Sequence, residues 1–256
     1  MRLAEIKKKL DALEVKYNRA EFIALDPISI PHQYQKLQDI EIAGLFAALL
    51  AWGQRSTIIN NTQKLMDLME RDPHHFILNH SLKDRKRFEH WVHRTFQFDD
   101  LLYFLEFLQF HYRQHESLES AFCSSVSMGD LTIENGLIHF HQYFFSLEHL
   151  KRTEKHLQTP LRKSACKRLN LYLRWMVRSD DRGVDFGLWK QIKMSQLLCP
   201  LDVHVQRAAI VTGLLQRKQS DWLACLELTS NLRKMSPEDP VKYDYALFGM
   251  SLENQY

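Results

Sequence analysis

Ile40-Glu-Ile-Ala-Gly-Leu-Phe-Ala-Ala-Leu-Leu-Ala-Trp52 is apolar at nearly every position. Ala43, Gly44, Ala47, Ala48 and Ala51 are small, and small side chains at a contact let helix axes approach closely. The run therefore reads as the central helix of a core, ended at Gly53. Upstream, Leu3, Ile6, Leu10, Leu13 and Tyr17 recur at helical spacing. Asp26–Pro27 and Ile30–Pro31 then break regular structure and predict an extended linker. Downstream, Ser56 or Thr57 is placed to cap a helix running through Ile58, Leu65, Leu68 and Met69. Further helices are predicted over Phe96 to Tyr112, Leu131 to His149, Ala165 to Val177, Asp221 to Met235 and Pro240 to Met250. Ser179 to Gly183 reads as a loop, with a short turn at Asp185 to Trp189. Only 8 Gly and 7 Pro occur in 256 residues, too few turn-formers for many short strands. The predicted class is all-α.

Composition narrows the functional classes. Hydrophobic residues at 45% and charged residues at 25% are those of an ordinary globule, which excludes global disorder. Met1 to Tyr17 has the pattern of a charged amphipathic helix, not of a signal peptide, and no apolar run approaches spanning length. A cytoplasmic protein without a membrane partner is the expectation. Cys123, Cys166, Cys199 and Cys225 are too scattered for a zinc ribbon, an iron–sulfur loop or a disulfide framework. His74-His75 and His139-Phe-His141 lack acids or thiols at ligand spacing, so neither a metal nor another cofactor is expected. The net charge of +3 is too small to signal nucleic acid. Its distribution says more: Lys151, Arg152, Lys155, Arg162, Lys163, Lys167, Arg168, Arg174 and Arg178 are opposed between 151 and 178 by Glu154 alone. Such a tract is the footprint of phosphate binding or a solvated helix face.

One short segment carries the chemistry. Cys199-Pro-Leu-Asp-Val-His-Val-Gln-Arg207 places Asp202 between a proline-bearing turn and a predicted helix from His204 to Leu215. A carboxylate there lies beside unpaired backbone N–H groups, which hold it ionised and fix its direction. That suits an acid facing a developing positive charge, and equally an ordinary helix cap. Lys167 stands at the entry of the helix before it. A desolvated lysine amine can attack a sugar aldehyde carbon, and a fixed carboxylate can stabilise an oxocarbenium-like sugar.

Pro200 to Arg207, Lys167-Arg-Leu-Asn-Leu-Tyr-Leu173 and Ala48-Leu-Leu-Ala-Trp-Gly-Gln54 together resemble the helix-hairpin-helix DNA glycosylase superfamily, the endonuclease III and oxoguanine glycosylase group. The likeness spans about residues 36 to 215. Cys166-Lys-Arg-Leu-Asn170, Leu173 to Arg178 and Asp239 to Gly249 also resemble an uncharacterised bacterial family of conserved hypothetical proteins, which implies no activity. The glycosylase resemblance implies two helical subdomains, 37–165 and 1–36 plus 166–256. Duplex DNA would lie over the cleft between them, with one nucleotide rotated into a pocket there. It further implies Asp202 and Lys167 as catalytic residues, and Gln54, Arg55, Lys163, Ser164, Arg168 and Arg207 as DNA contacts. No obligate protein partner is implied.

The pattern departs from that superfamily in three places. The hairpin stretch Arg162-Lys-Ser-Ala-Cys166 has no glycine. Lys167 and Asp202 stand 35 positions apart (202 − 167), about double the usual interval, so 179–198 reads as an insertion. The iron–sulfur cysteines are missing. A base-excision glycosylase, with or without abasic-site lyase activity, is the leading expectation. The alternatives are a catalytically inactive DNA-binding module of the same fold and a helical scaffold that binds no nucleic acid.

Overall fold

The computed structural model describes residues 3–253. The fold is helical, and the described residues hold no β-strand beyond two isolated bridges, His93 with Phe96 and Ser164 with Asp221. In chain order the α-helices are α1 (Leu3–Tyr17), α2 (Leu37–Leu49), α3 (Arg55–Leu68), α4 (Pro73–Asn79), α5 (Phe98–Tyr112) and α6 (Glu119–Cys123). They continue as α7 (Glu134–Phe144), α8 (Lys167–Val177), α9 (Val203–Val211), α10 (Trp222–Arg233) and α11 (Tyr243–Leu252). Contacts divide the chain into an inner unit, residues 23–124 and 139–157, and a terminal unit built from the segments before 23, from 125 to 138 and after 157. The resemblance implied boundaries at 36/37 and 165/166; here 23–36 clusters with the inner unit, and 125–138 and 158–165 with the terminal one.

In the inner unit α2 is buried all round, Ile42, Ala43, Leu45, Phe46, Ala47 and Ala48 being fully enclosed. The helix begins and ends three residues before the predicted Ile40 to Trp52, at Leu37 and Leu49. An aromatic cluster lies around α5, with Phe104 against Phe46, Phe96 and Phe144, and Phe107 against Phe140 and Phe144. The predicted linker at 26–31 is instead a pair of 3₁₀ turns, Pro27–Ser29 and Pro31–Gln33, each started by its proline. Asp26 caps the first by accepting from the Ile28 N–H at 3.1 Å, which is why the segment does not run extended. No side chain caps α3: it starts at Arg55, ahead of Ser56 and Thr57.

Glu41 is wholly buried on α2 and accepts from the Tyr112 hydroxyl at 2.9 Å, the Leu118 N–H at 3.1 Å and the Ser117 hydroxyl. It ties α2 to the end of α5 and the start of α6. Glu41→Ala would strand two buried donors and the half-buried Ser117 hydroxyl, so we expect a loss of about 2–4 kcal/mol in urea unfolding, with Glu41→Gln losing clearly less.

In the terminal unit α11 packs on α1 and α9. The α1 contact is close: a Cβ on Gly249 would lie 2.1 Å from the Tyr17 ring, itself buried. Only a residue without a side chain fits. Gly249→Ala should cost about 1–3 kcal/mol by overpacking, measurable as a lowered denaturation midpoint.

Candidate functional site

Pro200 and Leu201 are buried and hold the chain extended into α9, so Asp202 arrives at its N-cap (φ −111°, ψ −177°). The His204 and Val205 N–H groups, each at 2.9 Å, both donate to Oδ1. Among the described residues no hydrogen bond reaches Oδ2. Two donors on one oxygen fix the direction of the carboxylate while the side chain stays partly exposed. His204 Nδ1 lies 2.7 Å from the Ser251 hydroxyl of α11, so this imidazole braces α9 against α11.

Lys167 is the first residue of α8. The turn before it takes two left-handed conformations without glycine, at Lys163 (φ +59°) and Cys166 (φ +47°). Each costs an L-residue about 1–2 kcal/mol. Two local bonds and one from α10 hold the turn: Lys163 N–H donates to Pro160 O at 2.7 Å, Cys166 N–H to Ser164 Oγ at 3.2 Å, and Trp222 N–H to Lys163 O at 3.0 Å. Ser164 Oγ is thus engaged within the turn and its backbone is bridged to Asp221, while Lys163 is exposed. Only a three-residue 3₁₀ turn, Pro160–Arg162, leads into it, not a preceding α-helix.

The basic tract is divided between the two units. Its residues 151–157 belong to the inner unit and the remainder to the terminal unit. Arg174 and Arg178, on successive turns of α8, are buried. Arg178 Nε donates to Asp239 at 2.9 Å, and its Nη1 to Asp180 at 2.7 Å and Asp185 at 3.1 Å. Arg174 bonds Asp185 at 3.3 Å and also Asp244, and the Tyr245 ring lies 4.3 Å from its guanidinium carbon. Asp180 and Asp185 come from the predicted insertion, which runs back along α8 through Phe186 N–H to Trp175 O at 2.8 Å and Trp189 N–H to Met176 O at 2.9 Å. The expected turn at 185–189 is this irregular docked segment, bent at Gly187 (φ +57°). Burial lowers the Arg168 guanidinium to about 10. Trp175, Trp189 and Trp222 are all buried core residues.

Asp244 lies at the meeting point of these elements. It is buried on α11, and the Cys199 thiol donates to its Oδ1 at 3.8 Å. Burial pushes this carboxyl up to about 6; Arg174 opposes the rise, Asp202 adds to it and Lys167 opposes it. Lys167 and Asp202, far apart in sequence, are therefore electrostatic neighbours of one buried acid. The signal available in the sequence was an acid in the otherwise apolar run Tyr243-Asp-Tyr-Ala-Leu-Phe248. Arg207 is exposed on α9, four residues after Val203.

Gln54 and Arg55 lie in the inner unit. Gly53 (φ +119°) makes the turn from α2, and a Cβ there would meet Arg94 Nη1 at 2.6 Å. The Arg94 guanidinium stacks 4.6 Å from the Trp52 ring and donates to Trp52 O at 3.3 Å. This clamp presents Gln54, exposed, at the N-cap of α3, with Arg55 half-buried behind it.

A family model described as "Protein of unknown function (DUF2400)" matches residues 26–253. The chain belongs to that family. No curated protein and no solved structure matches it. Among the described residues no helix is long and apolar enough to cross a membrane.

The raised Asp244 fixes a sign. The folded state binds this proton more tightly than the unfolded chain, so the stabilisation is complete below about pH 4 and is lost as pH rises through about 6. Asp239 is raised and Asp180 lowered, so the comparison that isolates Asp244 is wild type against Asp244→Asn. The urea midpoint of the wild type relative to that variant should fall across this window.

Proposed function

We propose that this family member is a DNA glycosylase that excises a base from an extruded nucleotide in duplex DNA, with an abasic-site lyase step. The observation that carries the reading is the partly exposed Asp202, its Oδ1 held by two amides at a helix start, sharing Asp244 as neighbour with Lys167. Asp202 would face C1′ as positive charge grows on the sugar and the glycosidic bond breaks, the electron pair leaving with the base. In simple hydrolysis, water adds at C1′ and gives up a proton. In the lyase step the neutral Lys167 amine adds to C1′, water leaves, and the Schiff base permits loss of the 3′ phosphate by elimination. Exposed Lys163 and Arg207 would take backbone phosphates, Gln54 with Arg55 would fill the gap left by the extruded base, and Arg168 and Ser164 would support the turn at α8.

A second reading, a duplex-binding module without chemistry, is favoured by the engagement of Ser164 within its own turn and the burial of Arg174 and Arg178. The two separate by experiment. On abasic-site duplex, borohydride should trap a covalent adduct with the wild type and none with Lys167→Gln. On a panel of damaged duplexes, Asp202→Asn should lower base release by about 100-fold or more. Salt-sensitive binding with no release from any duplex would select the binding module, and no affinity even at low salt would leave a scaffold.

A further inference from the structure

Between α6 and α7 the chain turns through Ser127-Met-Gly-Asp-Leu131, inside the terminal unit. Met128 and Leu131 are 74% and 80% exposed, yet the backbone that carries them is firmly held. Within the turn, the Ser127 N–H and hydroxyl donate to the Asp130 carboxylate at 3.0 and 2.9 Å. From outside it, the buried Gln196 side chain gives its amide nitrogen to Ser127 O at 3.0 Å and to Asp130 O at 3.1 Å. Lys193 Nζ donates to Met128 O at 3.4 Å, and Arg233 Nη2 donates to Leu131 O at 3.2 Å. Every carbonyl of the turn except that of Gly129 is therefore bonded by a side chain from another segment. Ordering a loop costs conformational entropy, and here burial of the two apolar side chains offsets little of it.

The segments that hold this tip are positive. Residues 190–196 and 231–235 carry Lys190, Lys193, Arg233 and Lys234 and no acid. The acids of 127–135 are Asp130, which is engaged by Ser127, and Glu134. An ammonium has three donors, so Lys193 can bond Met128 O and a phosphate together. We propose that the Met128–Leu131 tip is a further DNA contact, in which the two side chains press between neighbouring base pairs while the lysines beside them meet flanking phosphates. Its size decides against other occupants. A stable protein interface buries about 800 Å² on each partner, of which two side chains supply a small part. Even one myristoyl chain holds a lipid surface only marginally, and these side chains insert less. A wedge between base pairs needs only one or two residues, provided that the backbone behind them is stiff. The inference rests on the reading of the chain as a duplex-DNA protein, not on base release, and its residues are separate from the gap-filling Gln54 and Arg55.

The test uses the full-length protein and abasic-site duplexes with 2-aminopurine placed at successive positions, since this base brightens when it is unstacked. Met128→Ser/Leu131→Ser alters two exposed side chains and leaves the backbone bonds in place, so it is expected to fold with an unchanged urea midpoint. Binding of the wild type should brighten one step that the double variant leaves dark, and the variant should bind about tenfold more weakly. The salt dependence should stay the same, because no charge is removed. Met128→Leu/Leu131→Met should restore both the emission and the affinity. A serine variant that binds and brightens every position as the wild type does overturns the inference and leaves the duplex-binding reading intact. A wild type that binds no duplex even at low salt overturns both. Vesicles of phosphatidylserine and phosphatidylcholine form the last arm: capture of the wild type but not of the serine variant, without any effect on duplex, assigns the tip to a lipid surface and overturns the inference. Loss of the bright step in a protein that releases no base supports the wedge while the glycosylase reading falls.

Discussion

Two guanidinium groups one helical turn apart, Arg174 and Arg178, hold carboxylates from four other segments inside the terminal unit: Glu14, Asp180, Asp185, Asp239 and Asp244. Taking such charges out of water costs several kcal/mol per ion, and only dense mutual bonding offsets it. Burial raises the carboxyls of Asp239 and Asp244, and the arginine beside each opposes that rise. The cluster fixes α8 against α11 and draws residues 180–185 back onto it. Both α8, which starts with Lys167, and the segment that ends at Asp202 take their positions from this anchor. Removing either arginine would leave uncompensated buried acids, which is the costly way to break such a cluster.

The inner unit meets its buried acids mostly with hydroxyls and amides. Glu41 is met by hydroxyls and an amide. Asp100 caps α5 through the Gln97 N–H at 2.9 Å and accepts from Thr153 at 2.8 Å, with Arg152 and His156 both 3.2 Å away. These acids bind helix ends together, and each is surrounded by structural partners. Asp202 differs from these two: its bonds come from neighbouring amides of its own helix, both to one oxygen.

Much of the helical plan was readable in the chain. The apolar run around Ala43 to Leu49, the heptad-like stripe of α1 and the Asp202 and Asp221 caps are local patterns, set by side-chain periodicity and by backbone N–H groups within a few residues. Asp202 was legible for that reason. The error over the 26–31 linker is also local, since a proline that breaks a helix also starts a 3₁₀ turn, and Asp26 decides which.

The rest needed tertiary structure because charge in a sequence carries no burial. Arg174 and Arg178 looked like one stripe with Lys163 and Lys167, yet the first two are interior and only Lys163 is fully exposed. Residues 180–185 hold them inside the unit by supplying Asp180 and Asp185, partners that share no spacing rule with α8. Asp244 is the clearest case: sequence alone determined a helix with an acid in it, whereas its proximity to Lys167 and Asp202 arises from packing α11 beside two segments more than forty residues upstream. Local bonding writes itself into order along the chain; electrostatic neighbourhood depends on which distant segments exclude water together, and only the folded molecule decides that.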